Sequence, residues 1–465
     1  MLRVFKHYIP KALILLALLE ALMFFSSVYM GAIARFGWEY HDPSDPHAIQ
    51  PVWLKAAIFT FVMISAMTAC GLYQRHLREG VVGMLLRVAI ASLLATVAAS
   101  LLFYLFPDAV FFGRGIFGIA MLISIATVIL FRWGFAHWVN QESLKRNIVV
   151  LGTGVKAAML EQFKRKADRH GFRILGYIQM SDEPVQVPTE KILHLDIPLV
   201  DYMQSNDVDE IVVAVDDRRR AFPTEQLLDC KLSGVDVIDL LTFFERQLGR
   251  IKLDILHPSW FIFSDGFAHT LARRITKRIF DIAVSSILLI FAAPFMVLAM
   301  IVIVIDDPGP IFYGQVRVGD KWKLFRILKF RSMRVDAEKH GAQFATHNDP
   351  RITRVGRLLR KTRIDELPQL FTVLKGDMSF VGPRPERPEF VERFSEKIPY
   401  YADRHRVKPG LTGWAQICFP YGASDKDAMG KLEYDLYYVK NYSLFLDLLI
   451  LLQTAEVILW GKGAR

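Results

Sequence analysis

The chain is short of cysteine, of acid relative to base, and of any leader pattern. Its three cysteines, Cys70, Cys230 and Cys418, lie far apart in 465 residues. That spacing excludes a disulfide framework and a thiolate metal site, so a reducing compartment is expected. Acidic residues number 47 against 57 basic ones, a net charge of +10. In an apolar chain such an excess points to anionic headgroups and phosphorylated ligands, and nucleic acid is not an expected partner. The first apolar run is too long for a signal-peptide core and lacks a small-residue cleavage site, so no cleaved leader is expected.

What is abundant is hydrophobic residues, 52% of the chain, with a mean hydropathy of +0.27. Four apolar runs, at about 12–34, 56–73, 82–106 and 110–132, are each long enough to cross roughly 30 Å of hydrocarbon as a helix. Glu20, Arg87 and Arg114 interrupt them and read as end or bundle-facing residues. Arg3, Lys6 and Lys11 precede the first run, Arg75 and Arg78 lie between the second and third, and Arg132, Lys145 and Arg146 follow the fourth. The first loop carries Glu39, Asp42 and Asp45 instead. The positive-inside rule then places the N-terminus and everything from residue 145 in the cytoplasm.

Residues 146–250 change character. RNIVVLGTGVKAAMLEQF reads as a buried strand, a glycine turn and a helix, and FRILGYIQ, DEIVVAV and GVDVIDL read as further strands. Alternating strands and helices imply a Rossmann-like α/β domain with a parallel sheet. Gly152, Gly154 and Ala157 fit G-x-G-x-x-A, a phosphate-binding turn, but no acidic residue stands at the expected ribose position, Asp182 being late. Dinucleotide binding and a purely structural or regulatory role both stay open. LDILHPSWFIFSDGF (253–267) reads as a sheet-rich tail within a linker, 251–272.

The run 277–310 resembles a fifth span in composition, but Pro294 sits in its middle. Its flanks are both basic: Arg273, Arg274, Lys277 and Arg278 before, and Arg317, Lys321, Lys323, Arg326, Lys329, Arg331 and Arg334 after. A crossing would carry the second cluster outside. A helix–break–helix that dips into the membrane and returns keeps both inside.

QVRVGDKWKLFRILKFRSMR (315–334) alternates cations with apolar residues and predicts a strand–turn–strand with a basic face. DPRITRVGRLLRKTRIDELPQLFTVLKGDMS (349–379) predicts an amphipathic helix ending near Arg363, then a second helix opened by Asp365 and Glu366. Plain capping accounts for an acid at a helix start. The neighbours favour chemistry instead: Arg360, Lys361 and Arg363 precede the pair, and Arg384 follows between Pro383 and Pro385. A carboxylate among cations stays ionised, as a nucleophile or metal ligand must. Of two adjacent carboxylates, one can attack while the other holds a divalent ion against phosphate charge.

KRIFDIAVSSILLIFAAPF, PIFYGQVRVG, FRILKFRSM, DPRITRVGRLLRKTRIDELPQL, GDMSFVGPRPE, KPGLTGWAQI and YDLYYVKNYSLFLDLLIL occur in order over 270–465. That series resembles the bacterial sugar transferases that are monotopic polyprenol-phosphate phosphoglycosyl transferases. Four spans and a Rossmann-like domain upstream resemble the large subclass, which starts exopolysaccharide, capsule or O-antigen synthesis at the bacterial inner membrane. The resemblance implies Asp365 as nucleophile, Glu366 as the Mg²⁺ ligand, and Arg360 near the phosphate site. It implies Lys329 and Arg331 as a basic phosphate-binding pair, Arg384 with Pro383 and Pro385 as the Pro-Arg-Pro corner, and Pro294 as the break of the re-entrant helix. The family often has Ser-Pro at that break; here Ala293 precedes Pro294, and Ser285 or Ser286 would have to help satisfy the backbone.

The implied reaction moves sugar 1-phosphate from a UDP-sugar, glucose or galactose, to undecaprenyl phosphate, with UMP released and the cytoplasmic catalytic domain supported by membrane lipids. The subclass further implies a homodimer. The domain plan is then 1–140 for the four-helix transmembrane bundle, 146–250 for the middle domain, 251–272 for the linker and 273–465 for the α/β catalytic domain. Contacts to sugar and uracil are expected within 408–440. The tail YSLFLDLLILLQTAEVILWGKGAR, interrupted by Asp447, Gln453 and Glu456, reads as an interfacial helix. Two rivals remain: a membrane-bound nucleotide-sugar dehydratase or epimerase, and a non-catalytic scaffold of polysaccharide assembly. The first needs a Tyr-x-x-x-Lys pair, and no tyrosine here has lysine four residues later.

Overall fold

The computed structural model describes residues 2–4, 7–9, 11–37, 52–73, 81–106, 113–138, 145–162, 172–180, 183–217, 222–267, 270–337, 349–419, 422 and 424–459. Beyond residue 8 the chain divides into two compact units, 8–248 and 249–465.

The first unit opens with four apolar helices: α1 (Lys11–Phe36), α2 (Val52–Ala69), α3 (Val81–Leu105) and α4 (Arg114–Trp138). All are long and apolar enough to cross a membrane. Helix α1 packs on α2 and α4, and α3 packs on the same two. In lipid the contacts must come from small residues and polar side chains. Gly31 provides one, since a Cβ there would stand 3.0 Å from the Ile116 carbonyl oxygen. The Ser27 and Ser124 hydroxyls, 2.8 Å apart, provide another. Glu20 is fully buried and holds Arg132 by two bonds, 2.5 Å to Nε and 2.9 Å to Nη2. Arg132 also donates to the Leu72 carbonyl, and Tyr73 donates to Glu20. Arg87 donates to the Cys70 carbonyl at 2.6 Å. Both interrupting residues, Glu20 and Arg87, thus tie helices together near the 70–73 turn, while Arg114 lies exposed at the start of α4.

A five-stranded parallel sheet follows, with β1 (Arg146–Leu151), β2 (Phe172–Ile178), β3 (Ile192–Leu193), β4 (Glu210–Val213) and β5 (Asp236–Asp239) in spatial order β3-β2-β1-β4-β5. Four of these strands are the ones the sequence predicts. Helices α5 (Val155–Ala158), α6 (Leu199–Ser205), α7 (Thr224–Leu232) and α8 (Leu240–Leu248) connect or follow them. The core between the sheet and α6 and α7 holds Val149, Leu151, Ile211, Met203, Leu227 and Cys230.

The second unit corrects the expected sheet-rich tail. Residues 253–255 form a 3₁₀ turn and Pro258–Phe263 a short helix, with Pro258 in its first turn, where its missing N–H costs nothing. The segment is held by packing: Ile251 N–H donates to the Glu433 carbonyl at 3.0 Å, and Lys440 lies over the Trp260 ring.

Then comes α9 (Leu271–Asp306), a single helix with Pro294 inside it, where two helices with a break were expected. Ser285 does not assist the backbone there; its hydroxyl is buried without a hydrogen-bond partner. Contacts on both sides of Pro294 hold the helix together. On the N-terminal side Arg278 donates to the Val373 and Leu374 carbonyls at 2.7 and 2.5 Å. Asp281 accepts from Ser379 Oγ and Phe380 N–H, both at 2.9 Å. On the C-terminal side Met296, Ala299 and Ile303 pack on Phe330 and Leu359, and Asp306 accepts from Val355 N–H at 3.0 Å. Ile287, Ile290, Phe291, Phe295 and Leu298 are exposed between them.

An antiparallel pair follows, β6 (Phe312–Val318) and β7 (Leu324–Phe330), as predicted, with Tyr313 opposite Lys329. Next are α10 (Arg354–Thr362), α11 (Gln369–Lys375), β8 (Ser379–Val381), α12 (Pro388–Lys397), β9 (Gly410–Thr412) parallel to β8, α13 (Asp425–Asn441) and α14 (Leu444–Leu459). Helix α14 is the predicted apolar tail helix. Asp447 does not merely interrupt it; fully buried, it accepts from Lys277 Nζ and from the Tyr438 hydroxyl, each at 2.7 Å.

Candidate active site

The site begins where β7 leads into α10. Thr353 caps α10 by accepting from Gly356 N–H at 2.9 Å. Gly356 is required there, because a Cβ would meet the Ser332 carbonyl oxygen at 2.0 Å. Helix α10 ends at Thr362, and Arg363 takes a left-handed conformation, φ 60° and ψ 14°. That residue closes α10 and opens a 3₁₀ turn, Ile364–Glu366, that holds the acid pair. Helix α11 starts only at Gln369, with Pro368 as its N-cap. Asp365 is therefore not the helix-capping acid that its sequence position suggests.

Three cations converge on one oxygen. Glu366 Oε1 lies 2.8 Å from Lys329 Nζ, 2.9 Å from Arg384 Nη2 and 4.0 Å from Arg363 Nη1. Lys329 comes from the end of β7 and Arg384 from the Pro383–Pro385 corner after β8. The carbonyls of that corner are all held: Pro383 by Gly410 N–H at 2.9 Å, Arg384 by Arg404 Nη2 at 3.0 Å, Pro385 by Arg317 Nη1 at 3.3 Å. Such anchoring orients Arg384 before any ligand arrives. Burial would push the Glu366 carboxyl up, but Lys329 and Arg384 hold it well below the usual carboxylate range.

Asp365 is buried and its Oδ1 has no hydrogen-bond partner. Burial first, and then the Glu366 charge, push its carboxyl up to about 6, against the pull of Lys329, Arg360 and Arg363. The sequence expectation that surrounding cations would dominate is thus reversed for Asp365, though the carboxyl still ionises below neutral pH. Arg360 acts on Asp365 through its charge from the last turn of α10.

Arg331 is not brought to this cluster. The strand ends at Phe330, Arg331 N–H bonds the Ile311 carbonyl, and the buried side chain turns to Asp307 at the end of α9. Its contact ties the start of the segment after β7 to the end of α9. Pro294 stands inside α9. A cleft adjoins the Pro-Arg-Pro corner; Glu386, Phe394, Tyr401 and Arg404 line one part of it, and Gly422, Ser424, Ala428 and Lys431, all within the expected 408–440 stretch, line the rest.

The pair fits a hard divalent cation. Among the described residues there is no group of three or more His, Cys, Asp or Glu side chains that could hold a metal alone. Mg²⁺ is commonly held by one or two carboxylates and completes its shell with water and substrate phosphate. Glu366, with the unsatisfied Oδ1 of Asp365 beside it, offers that donor set.

The glycine turn of the middle domain is already filled. Thr153 N–H donates to Glu183 at 2.8 Å, Val155 and Lys156 N–H donate to Asp216 at 2.8 and 2.9 Å, and Asp216 N–H donates to Glu183 at 2.8 Å. A Cβ on Gly154 would stand 2.1 Å from Asp216 Oδ2. The donors that a dinucleotide phosphate would use are held by the chain's own carboxylates.

Residues 272–461 match the bacterial sugar transferase family, and residues 68–221 match a CoA-binding domain family. A UDP-N-acetylgalactosamine-undecaprenyl-phosphate N-acetylgalactosaminephosphotransferase of Aeromonas hydrophila is 45% identical over 239 residues, 51% of this chain and 56% of that protein. An undecaprenyl-phosphate galactose phosphotransferase of Salmonella typhimurium is 31% identical, covering 76% of each chain. A UDP-glucose:undecaprenyl-phosphate glucose-1-phosphate transferase of Escherichia coli is 32% identical, covering 69% of each. The chain belongs to the bacterial sugar transferase family. It is an enzyme of the phosphotransferase class and a membrane protein with α/β domains, so the dehydratase and scaffold readings fall.

Two features of this transferase escape sequence reasoning. The left-handed turn at Arg363 contains neither glycine nor asparagine, the usual signals. Lys277 and Arg278, counted as a basic flank, are instead partners of Asp447 and of the α11 carbonyls. The one available signal was Asp447 itself, an acid in an apolar helix that needs a partner.

Proposed function

We propose that the protein transfers sugar 1-phosphate from a UDP-sugar to undecaprenyl phosphate and releases UMP. The observation that carries the reading is the pairing of a buried, hydrogen-bond-free Asp365 oxygen with a neighbour, Glu366, held by Lys329 and Arg384. One carboxylate is poised to attack, and the other gathers cations where phosphate charge must be met.

In the first step Asp365 Oδ attacks the sugar-bearing phosphorus. The bond to the bridging oxygen breaks, and UMP leaves with its electron pair. In the second step an oxygen of the lipid phosphate attacks the same phosphorus, and the aspartyl–phosphorus bond breaks. The product is a polyprenyl diphosphate sugar, and the carboxylate is regenerated. Glu366 would hold a Mg²⁺ ion, which would supply positive charge against the transferring phosphoryl group. Lys329, Arg360 and Arg384 orient the phosphates, and the held carbonyls of the Pro-Arg-Pro corner keep Arg384 in place. The relatives' names point to glucose, galactose and N-acetylgalactosamine as donor sugars to test.

We further propose that α9 enters the inner membrane and returns, with the catalytic unit on the cytoplasmic face. Arg278 and Asp306 are 28 residues apart, about 42 Å along a straight helix. Their partners, Leu374 and Val355, belong to α11 and α10, the two helices that flank the short turn carrying the acid pair. A crossing helix would put those partners on opposite sides of the bilayer. The exposed apolar residues between the two grips suit lipid contact.

Incubation with radiolabelled UDP-sugar, without acceptor, tests the first step. Label is expected on the protein and absent from Asp365→Asn. Equal labelling of that variant would remove Asp365 from the mechanism.

A further inference from the structure

Helix α11 ends the way physics favours, with Gly376 at φ 101° in the left-handed region. Helix α10 ends in the same region with an arginine, Arg363, at φ 60°. A side chain there crowds the following carbonyl, a penalty that glycine escapes. Such strain persists only where the surroundings impose it, and it gathers at active sites; Arg363 is one of six described non-glycine residues with positive φ, and it is the one that opens the acid-pair turn.

What the side chain reaches is the acid pair. The Arg363 carbonyl accepts from Glu366 N–H at 3.2 Å, and its Nη1 stands 4.0 Å from Glu366 Oε1. Lys329 and Arg384 contact the same oxygen more closely, and the Arg363 side chain is the most exposed of the three, at 40% against 20% and 37%. With Arg360, four cations attend two carboxylates. The cations outnumber the carboxylates, which favours an anionic ligand beside them.

We propose that Arg363 is a substrate-contacting residue: its guanidinium grips the diphosphate of the donor, and the left-handed backbone aims it there. This rests on the transfer reaction proposed above. A bidentate guanidinium–phosphate contact supplies both the charge and the geometry.

The test uses the full chain in lipid nanodiscs, as wild type, Arg363→Gly and Arg363→Lys. Thermal unfolding is followed, together with transfer kinetics in which UDP-sugar and lipid phosphate are varied separately. Arg363→Gly is expected to unfold at the wild-type temperature or above. Its kcat/KM for the UDP-sugar is expected to fall by about 10²-fold, with the KM for lipid phosphate within about twofold. Arg363→Lys keeps the charge and is expected to recover part of the loss. An Arg363→Gly protein with wild-type donor kinetics, with both KM values raised alike, or with clearly lowered stability would overturn the inference while leaving the transfer reaction standing. A wild type that transfers nothing would overturn the reaction and the inference together.

Discussion

Asp365 stores a cost that one substitution can release. Its carboxyl ionises near 3.8 when free and near 6 in the folded protein, raised first by burial and then by Glu366. Between those values the unfolded chain binds fewer protons than the folded one, so folding stability falls as pH rises. Two pH units at 1.36 kcal/mol each set an upper bound of about 3 kcal/mol, present in full above pH 6 and absent below pH 4. Asparagine keeps the shape but cannot ionise, and its buried amide gives back part of the gain through unmet hydrogen bonds. Asp365→Asn should therefore be inactive and more stable at pH 7 by about 1–3 kcal/mol. In a unit of this size that corresponds to an unfolding temperature raised by about 5–10 °C at the upper bound. The assay is thermal unfolding in nanodiscs from pH 4 to 8, with chelator so that no divalent ion shares the acid pair. The stability difference must grow from pH 4 to 6 and then level off. A constant difference, or one that shrinks with pH, would refute the argument from burial.

Three other outcomes follow from the same geometry. Coenzyme A or NAD should move the wild-type unfolding temperature by less than about 1 °C, because Glu183 and Asp216 occupy the glycine turn; tight binding of either would contradict that. Asp216→Ala should lower stability by about 1–3 kcal/mol, with millimolar acetate or phosphate restoring part of it. Lys277→Met should cost about 3–5 kcal/mol by stranding the buried Asp447, and Lys277→Met with Asp447→Leu should cost much less; a double variant as weak as the sum of the singles would show that the pair is not coupled.

Much of the fold was legible because each part follows one strong local rule. The four apolar runs need only length and composition. Strands β1, β2, β4 and β5 announce themselves as short branched runs bounded by turns, whereas the two-residue β3 carries no pattern to detect. The tail at 253–267 misled because its apolar alternation suits a strand, while packing on α13 makes it a turn and a helix. Pro294 suggested a break between two helices, but α9 stays helical through it, with contacts on both sides. At the site, Lys329, Arg384 and Glu366 were readable as charges in order along the chain. Their convergence on one oxygen was not, since it depends on β7, the corner after β8 and the Arg363 turn meeting in space. Arg331 shows the limit of spacing: two residues from Lys329, it leaves the strand and serves Asp307 instead.

The most direct measurement is transfer itself. Purified protein in nanodiscs would be given undecaprenyl phosphate, Mg²⁺ and, in turn, UDP-glucose, UDP-galactose and UDP-N-acetylgalactosamine, with UMP and lipid product quantified. The account predicts equal amounts of UMP and lipid-linked sugar phosphate with at least one donor, and neither with Asp365→Asn. UMP without lipid product, or full turnover by Asp365→Asn, would contradict it.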